Sequence, residues 1–314
     1  MAGQWSPRTS CAPRSSSTPS SSRQPVLRSS PFRPEPPRGR PPSDHDDPTS
    51  TGAHVTTAAT GTTWPSEVHT LSIDIGGSGL KASVLDPVGQ MTTERVRIDT
   101  PYPCPPHVLV EAIARLVEPM TGAHRASVGF PGLVRQGRVI DVPSLSRREY
   151  GGPRDADLAQ AWSEFDLGSA MAELLGVPTK VVNDADMQGC AVAQGKGLEF
   201  VMTLGTGVGT AVFNGGRLLP HLELSHGPFR DGDTIDIALG NAARKDIGTE
   251  KWLKRVRRAV SYFHDMLWFD HLYVGGGNAK HVSITDIGPK GQIIPNSSGI
   301  IGGVRIWELH SEDS

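Results

Sequence analysis

One plan occurs twice along this chain and limits what it can fold into: an apolar strand, a glycine turn, then a second strand. The first copy runs through residues 68–75 into Gly76, Gly77, Ser78, Gly79 and Lys81, with a strand at 82–85. The second runs through Phe200-Val201-Met202-Thr203-Leu204 into Gly205-Thr206-Gly207-Val208-Gly209, with a strand at 210–213 that ends in Asn214-Gly215-Gly216, a strong hairpin signal. Strand, glycine turn, strand is not the strand-to-helix order of a Walker or dinucleotide loop. Two such turns facing each other across a cleft let many backbone N–H groups approach one phosphate chain without hindrance from Cβ atoms. A single turn of this kind is usually only a turn, but the matched pair, with the later Gly275, Gly276 and Gly277, points to phosphate binding.

The remaining pattern assigns these copies to two α/β lobes. A third strand is expected over 91–98, a helix over 106–120, a strand over 126–130 stopped by Pro131-Gly132, an extended segment over 139–146, and a helix over 158–175 ending at Gly176. A strand at 180–182 leads through Asn183 and Asp184 into a helix over 185–194. The expected organisation is a tail at 1–65, lobes at 66–180 and 181–308, and a short tail at 309–314. Residues 1–65 are dominated by Ser, Pro, Thr and Arg, a composition that cannot bury enough apolar surface to offset ordering entropy. It also lacks the amphipathic helix of an organelle transit peptide.

A net charge of −2 over 314 residues supplies no field for nucleic acid or an anionic membrane. No stretch is long and apolar enough for a membrane helix, and the three cysteines, Cys11, Cys104 and Cys190, lack the spacing of a disulfide framework or a zinc cluster. A reducing cytoplasm is the expected setting.

Residue chemistry adds roles to this frame. A substrate hydroxyl is a poor nucleophile at neutral pH, so a carboxylate at a strand end is suited to accept its proton if such a site transfers phosphoryl groups. Asp184 is the candidate base, although Asn183 and Asp184 are both also suited to capping a helix. Asp74, ending the first strand, is placed to orient hydrated Mg²⁺, or merely to cap its turn. Lys81 and Thr206 sit where donor phosphates would be held. Glu223 and His226 are the candidate polar pair for substrate hydroxyls. Lys251, Lys254, Arg255 and Arg258 fall on or near one face of an amphipathic helix, which is either a solvated face or a track for a long polyanion.

Five ordered motifs carry a resemblance: Asp74-Ile75-Gly76-Gly77-Ser78-Gly79-Leu80-Lys81, Asn183-Asp184, Leu204-Gly205-Thr206-Gly207-Val208-Gly209, Glu223-Leu224-Ser225-His226 and Gly275-Gly276-Gly277. Over about residues 71–307 the chain resembles the ROK sugar kinases, and within them the polyphosphate glucokinase branch. The resemblance implies the two-lobed, actin-like, hexokinase-type ATPase fold with ribonuclease H-like lobes and a sugar in the interlobe cleft. It also implies transfer of a phosphoryl group from polyphosphate, ATP or both to the 6-hydroxyl of glucose, with Mg²⁺, a homodimer and a place in glycolysis. Asn183, Asp184, Glu223, His226, Pro131, Gly132 and Ser144 then stand at the sugar, and Gly275, Gly276 and Gly277 beside the nucleoside part of the donor.

Two departures from the family pattern accompany it. Pro228-Phe229-Arg230-Asp231 follows His226 where many members carry a cysteine cluster, so no structural zinc is expected. Ser144 follows Pro143 where the family commonly has an asparagine, which changes the reach and number of hydrogen bonds to the sugar. The alternatives are a sugar-responsive regulator of the same family and a sugar-binding protein without catalysis. The regulators carry an N-terminal helix-turn-helix, for which residues 1–65 have too many prolines.

Overall fold

The computed structural model describes residues 67–295 and 298–309, so the tail expected at 1–65 and all but the first residue of that expected at 309–314 lie outside the described residues. β1 (Thr70–Ile75) and β2 (Leu80–Leu85) form an antiparallel hairpin that sets Asp74 opposite Lys81. β3 (Val96–Ile98) extends it. The strand expected over 91–98 is confined to these three residues because the Thr93 hydroxyl, at 2.9 Å, takes the Val84 N–H and interrupts the ladder.

α1 (Pro106–Val117) begins with proline, where the missing N–H would have had no helical partner, and buries Leu109, Ile113 and Leu116. β4 (Arg125–Phe130) runs parallel to β1, followed by the small hairpin β5 (Leu133–Arg135) and β6 (Arg138–Asp141). The helix expected over 158–175 is two, α2 (Ala156–Trp162) and α3 (Leu167–Leu175). Between them Glu164 takes a φ of 62°, and Asp166 caps α3 by accepting from the Ser169 N–H. β7 (Thr179–Asn183) completes a first sheet in the order β3-β2-β1-β4-β7. The lobe boundary expected at 180/181 therefore runs through β7, which hydrogen-bonds to β4.

After α4 (Asp184–Cys190), β8 (Leu198–Leu204), β9 (Val208–Asn214) and β10 (Arg217–Leu218) repeat the opening hairpin plan. A short hairpin, β11 (Pro228–Arg230) with β12 (Asp233–Thr234), precedes α5 (Ile235–Leu239), α6 (Asn241–Ile247) and α7 (Thr249–Leu267). β13 (His271–Gly275), α8 (Ile284–Ile287) and β14 (Gly291–Ile293) finish a second sheet, ordered β10-β9-β8-β13-β14. α9 (Ser298–Leu309) then returns to the first sheet, where Ser72 Oγ donates to the Ile300 carbonyl at 2.8 Å and Ser127 Oγ to the Gly303 carbonyl at 2.6 Å.

Each sheet has its own apolar core, one around Ile73, Val128, Phe130 and Trp162, the other around Phe200, Trp252, Phe263 and Leu272. A third cluster, including Met187, Val201, Phe213 and Ile306, packs α4 and α9 onto the second sheet. Burial at roughly 25 cal/mol per Å² of apolar surface makes these clusters the main source of stability. No helix among the described residues is long and apolar enough to cross a membrane.

Candidate active site

α4 starts between the two sheets because glycines on both sides leave room for it. A Cβ at Gly129 of β4 would lie 2.7 Å from Met187 Cε and 3.5 Å from Asp184 Cα. One at Gly209 of β9 would lie 2.9 Å from Ala185 Cβ. Gly129 is also the register partner of Asp74, so the first turn of α4 sits over the strand ends that carry Asp74 and the second glycine turn. The cap is Asn183: its Oδ1 accepts from the Ala185 N–H at 2.8 Å, and its amide donates to the Gly132 carbonyl at 3.0 Å. Asp184 is the first residue inside the helix and is half-buried. Burial of its carboxylate, reinforced by the negative charge of Asp74, outweighs the opposing effects of His221 and the Ala185 N–H and raises its pKa to about 7.

Asp74 pairs with Lys81 at 2.8 Å. The first glycine turn is held through its carbonyls: Thr100 donates to Gly76 at 2.6 Å, Tyr102 to Gly77 at 2.7 Å, and Arg97 to Ser78 at 3.1 Å. The second turn is held differently. The Val208 N–H donates to the Asp236 carboxylate at 2.6 Å and the Gly209 N–H to Thr203 Oγ1 at 3.2 Å. Asn278, directly after the third glycine cluster, clamps this turn with its N–H on the Leu204 carbonyl at 2.8 Å and its amide on the Gly205 carbonyl at 3.0 Å. Arg244 orients that amide, donating to Asn278 Oδ1 at 3.1 Å.

The two turns lie within one tyrosine side chain of each other. The Tyr150 ring would be 3.8 Å from a Cβ at Gly77, and its hydroxyl lies 3.5 Å from Thr206 Oγ1. Ser144 is drawn in as well: its Oγ donates to the Pro131 carbonyl at 3.3 Å, and its own carbonyl lies 3.1 Å from the Tyr102 hydroxyl.

Glu223 reaches this cluster through His221. That imidazole is buried between Asp186 of α4, 3.0 Å away, and Glu223, 3.5 Å away, while Glu223 also lies 3.6 Å from the half-exposed His226. The basic face of α7 lies further along the same lobe. Arg255 donates to the Ala238 carbonyl at 3.0 Å, and two residues past Ala238, Gly240 abuts the Thr206 carbonyl. Arg258 stacks on Phe229 at 5.2 Å, and Lys251 and Lys254 are exposed. Arg257, on the adjoining face, is engaged by Asp286 at 2.5 Å.

Sequence reasoning missed Tyr102, Tyr150, Asp186, His221 and Asp236. His221 carried a readable signal, since it stands two residues before Glu223 and in an extended segment i and i+2 share a face. The tyrosines carried none, being brought in by tertiary contact from irregular segments.

A chemically consistent site results: a carboxylate poised near neutrality, a carboxylate-lysine pair close enough to act on it electrostatically, two glycine turns, and the polar side chains of Ser144, Glu223 and His226. Residues 70–220 match the ROK family. The chain is 29% identical over 269 residues to the polyphosphate glucokinase of Mycobacterium tuberculosis (strain CDC 1551 / Oshkosh), covering 81% of this chain and 96% of that one. Among solved structures it resembles the inorganic polyphosphate/ATP-glucomannokinase from Arthrobacter sp. strain KM, with a TM-score of 0.63 and 28% identity over 77% of this chain and 99% of that chain. It also resembles a ROK family glucokinase from Streptomyces griseus, solved with glucose and AMPPNP, with a TM-score of 0.59 and 17% identity over 76% and 98% of the two chains. Over residues 70–220 the chain therefore matches the ROK family, its two-sheet architecture is the actin-like, hexokinase-type fold, and it is similar to polyphosphate glucokinases.

Proposed function

We propose that the protein is a sugar kinase that transfers a phosphoryl group from polyphosphate, ATP or both to the 6-hydroxyl of glucose, with mannose as a second acceptor. The observation that carries this reading is Asp184, a carboxylate with its pKa raised to about 7 by burial and by Asp74, at a helix start packed against Gly209 of the second turn. A base of that pKa is mostly unprotonated just above neutrality yet still accepts the hydroxyl proton as the oxygen attacks phosphorus. The ROK family domain and the similarity to polyphosphate glucokinases support kinase chemistry.

The chain's residues divide the work. Asn183 fixes the entry of α4 and ties it to the Pro131-Gly132 turn, while Ser144 and Glu223 offer oxygen acceptors to sugar hydroxyls. Lys81 and the N–H groups of the first turn face the donor phosphates, and Asn278 with Arg244 keeps the second turn rigid. The donor set fits Mg²⁺: a half-buried carboxylate, Asp74, beside a phosphate-binding turn suits an ion that keeps most of its waters and takes the rest of its shell from substrate phosphates. When bound it would neutralise developing phosphate charge.

For the donor, the cations of α7 begin close to the second turn and continue at helical spacing, which supports a path for a chain of phosphates. The test is hexose 6-phosphate formation with Mg²⁺ and either ATP or medium-chain polyphosphate, on wild type and on the Lys251→Ala/Lys254→Ala double variant. The expected result is turnover with glucose, and a polyphosphate KM raised several-fold in the variant with the ATP KM unchanged. Equal effects on both donors would return those lysines to a solvated face, and no phosphorylation of any hexose would remove the kinase reading.

A further inference from the structure

His221 is an almost fully enclosed ionisable side chain near the site, with 2% of it exposed, and it has no role in the scheme above. Its surroundings leave it no alternative position. Thr210 Oγ1 donates to the Leu222 carbonyl at 2.8 Å, and Arg135 of β5 donates to the His221 carbonyl, so the backbone on either side is tied. Nδ1 meets the buried Asp186 carboxylate at 3.0 Å. Nε2 points at Glu223 Oε1 at 3.5 Å and, among the described residues, has no hydrogen-bond partner. A buried polar atom left in this state is costly unless a charge contact or a tightened bond compensates it.

The charges alternate. Burial alone would lower the imidazole pKa, but the Asp186 charge and hydrogen bond, with Glu223, outweigh it and push it up to about 10, so the ring is cationic at neutral pH. Glu223 moves the opposite way: burial raises it, and His221, His226 and Arg135 together bring it below the ordinary carboxylate range. Glu223 therefore stays ionised, with one oxygen facing His221 and the other facing His226, and each oxygen keeps further lone pairs able to accept hydrogen bonds.

We propose that His221 is a positioning residue for the acceptor sugar: anchored by Asp186, it holds the Glu223 carboxylate in the orientation that receives two sugar hydroxyls. This rests on the sugar kinase reading above. The 3.5 Å contact is the loose form of a bond that tightens when the hydroxyls order the carboxylate, as polar contacts in ligand-free sites commonly do. Asp186 and Asp184 stand on the same first turn of α4, so the helix that carries the base also anchors, through His221, the group that binds the sugar.

The test separates sugar positioning from general support of the fold. Glucose affinity without donor, by titration calorimetry, and steady-state constants for both substrates are measured on wild type, His221→Gln, Asp186→Asn, Glu223→Gln and the His221→Gln/Glu223→Gln double variant. The expected result for His221→Gln is a rise of about tenfold in glucose Kd and KM, with kcat and donor KM changed little. Asp186→Asn moves the same constants less, and the double variant is little worse than Glu223→Gln alone. If His221→Gln does not fold, Asp186→Asn decides on the same split. Glucose constants that stay at wild-type values, fall in step with kcat and donor KM, or add fully to Glu223→Gln would overturn the assignment while leaving the kinase reading intact. A wild-type protein that neither binds nor phosphorylates a hexose removes both.

Discussion

The two glycine turns share a plan in sequence and differ in how the fold holds them. The first is fastened through its carbonyls by Thr100, Tyr102 and Arg97, with Lys81 paired to Asp74 beside it, so cations and hydroxyls surround it. The second is fastened at both kinds of group: Asn278 holds the Leu204 and Gly205 carbonyls, while the Val208 and Gly209 N–H groups are given to the Asp236 carboxylate and to Thr203 Oγ1. A repeated backbone motif therefore need not repeat its electrostatics: the first turn, ringed by cations and hydroxyls, is prepared for an anion, and the second is a rigid wall with the Val208 and Gly209 donors already spent. Phosphate charge is accordingly expected to concentrate on the first turn, with the second shaping the donor's path.

Substitutions can break this comparison in order of expected effect. Asp184→Asn removes the proposed base; kcat should fall about 10²- to 10⁴-fold while calorimetry still detects glucose. Lys81→Met should lower kcat/KM for either donor by about 10²-fold, read by initial rates, because a cation aimed at developing phosphate charge is lost. The pH profile is the next sharpest probe. Because Asp184 must be unprotonated and its pKa is raised to about 7, kcat/KM should rise with pH up to that region and level off above it. Asp74→Asn removes a neighbouring negative charge, so the limb should move to lower pH, whatever happens to the rate itself. Smallest is Asp236→Asn, which keeps a hydrogen-bond acceptor for Val208 but removes the charge; donor KM should change only a few-fold, and downward. A loss as large as that of Lys81→Met would reverse the ranking of the two turns.

Much of this was legible in advance. Both turns, the Asn183-Asp184 strand end and the third glycine cluster are local features, written in strand length and residue type. The break at Ser163 was not, because Glu164 adopts a positive φ within an otherwise helical apolar period. The boundary expected at 180/181 cuts β7 because a parallel strand reads the same whichever sheet it joins, and only pairing with β4 decides. Among residues named from motifs, Asn183 meets Gly132, Asp74 meets Lys81 and Glu223 lies beside His226, whereas the members that act through others were hidden. Asp236 reaches Val208 across 28 residues, Tyr102 reaches Ser144 across 42, and Asp186 reaches His221 across 35, spacings that carry no periodic signature.

The close seating of α4 divides the glycines into two populations with different tolerances to change. At Gly129 an added methyl meets Met187, and at Gly302 it would overlap the Met187 carbonyl; such a residue is irreplaceable by volume alone, and overpacking there costs about 1–3 kcal/mol. At Gly205 an added methyl meets nothing within 4 Å. Packing therefore permits alanine at Gly205, and a scan that finds a normal melting temperature there beside a lost donor affinity would locate the donor at that turn, because no described residue beyond its chain neighbours stands within 4 Å of the added methyl.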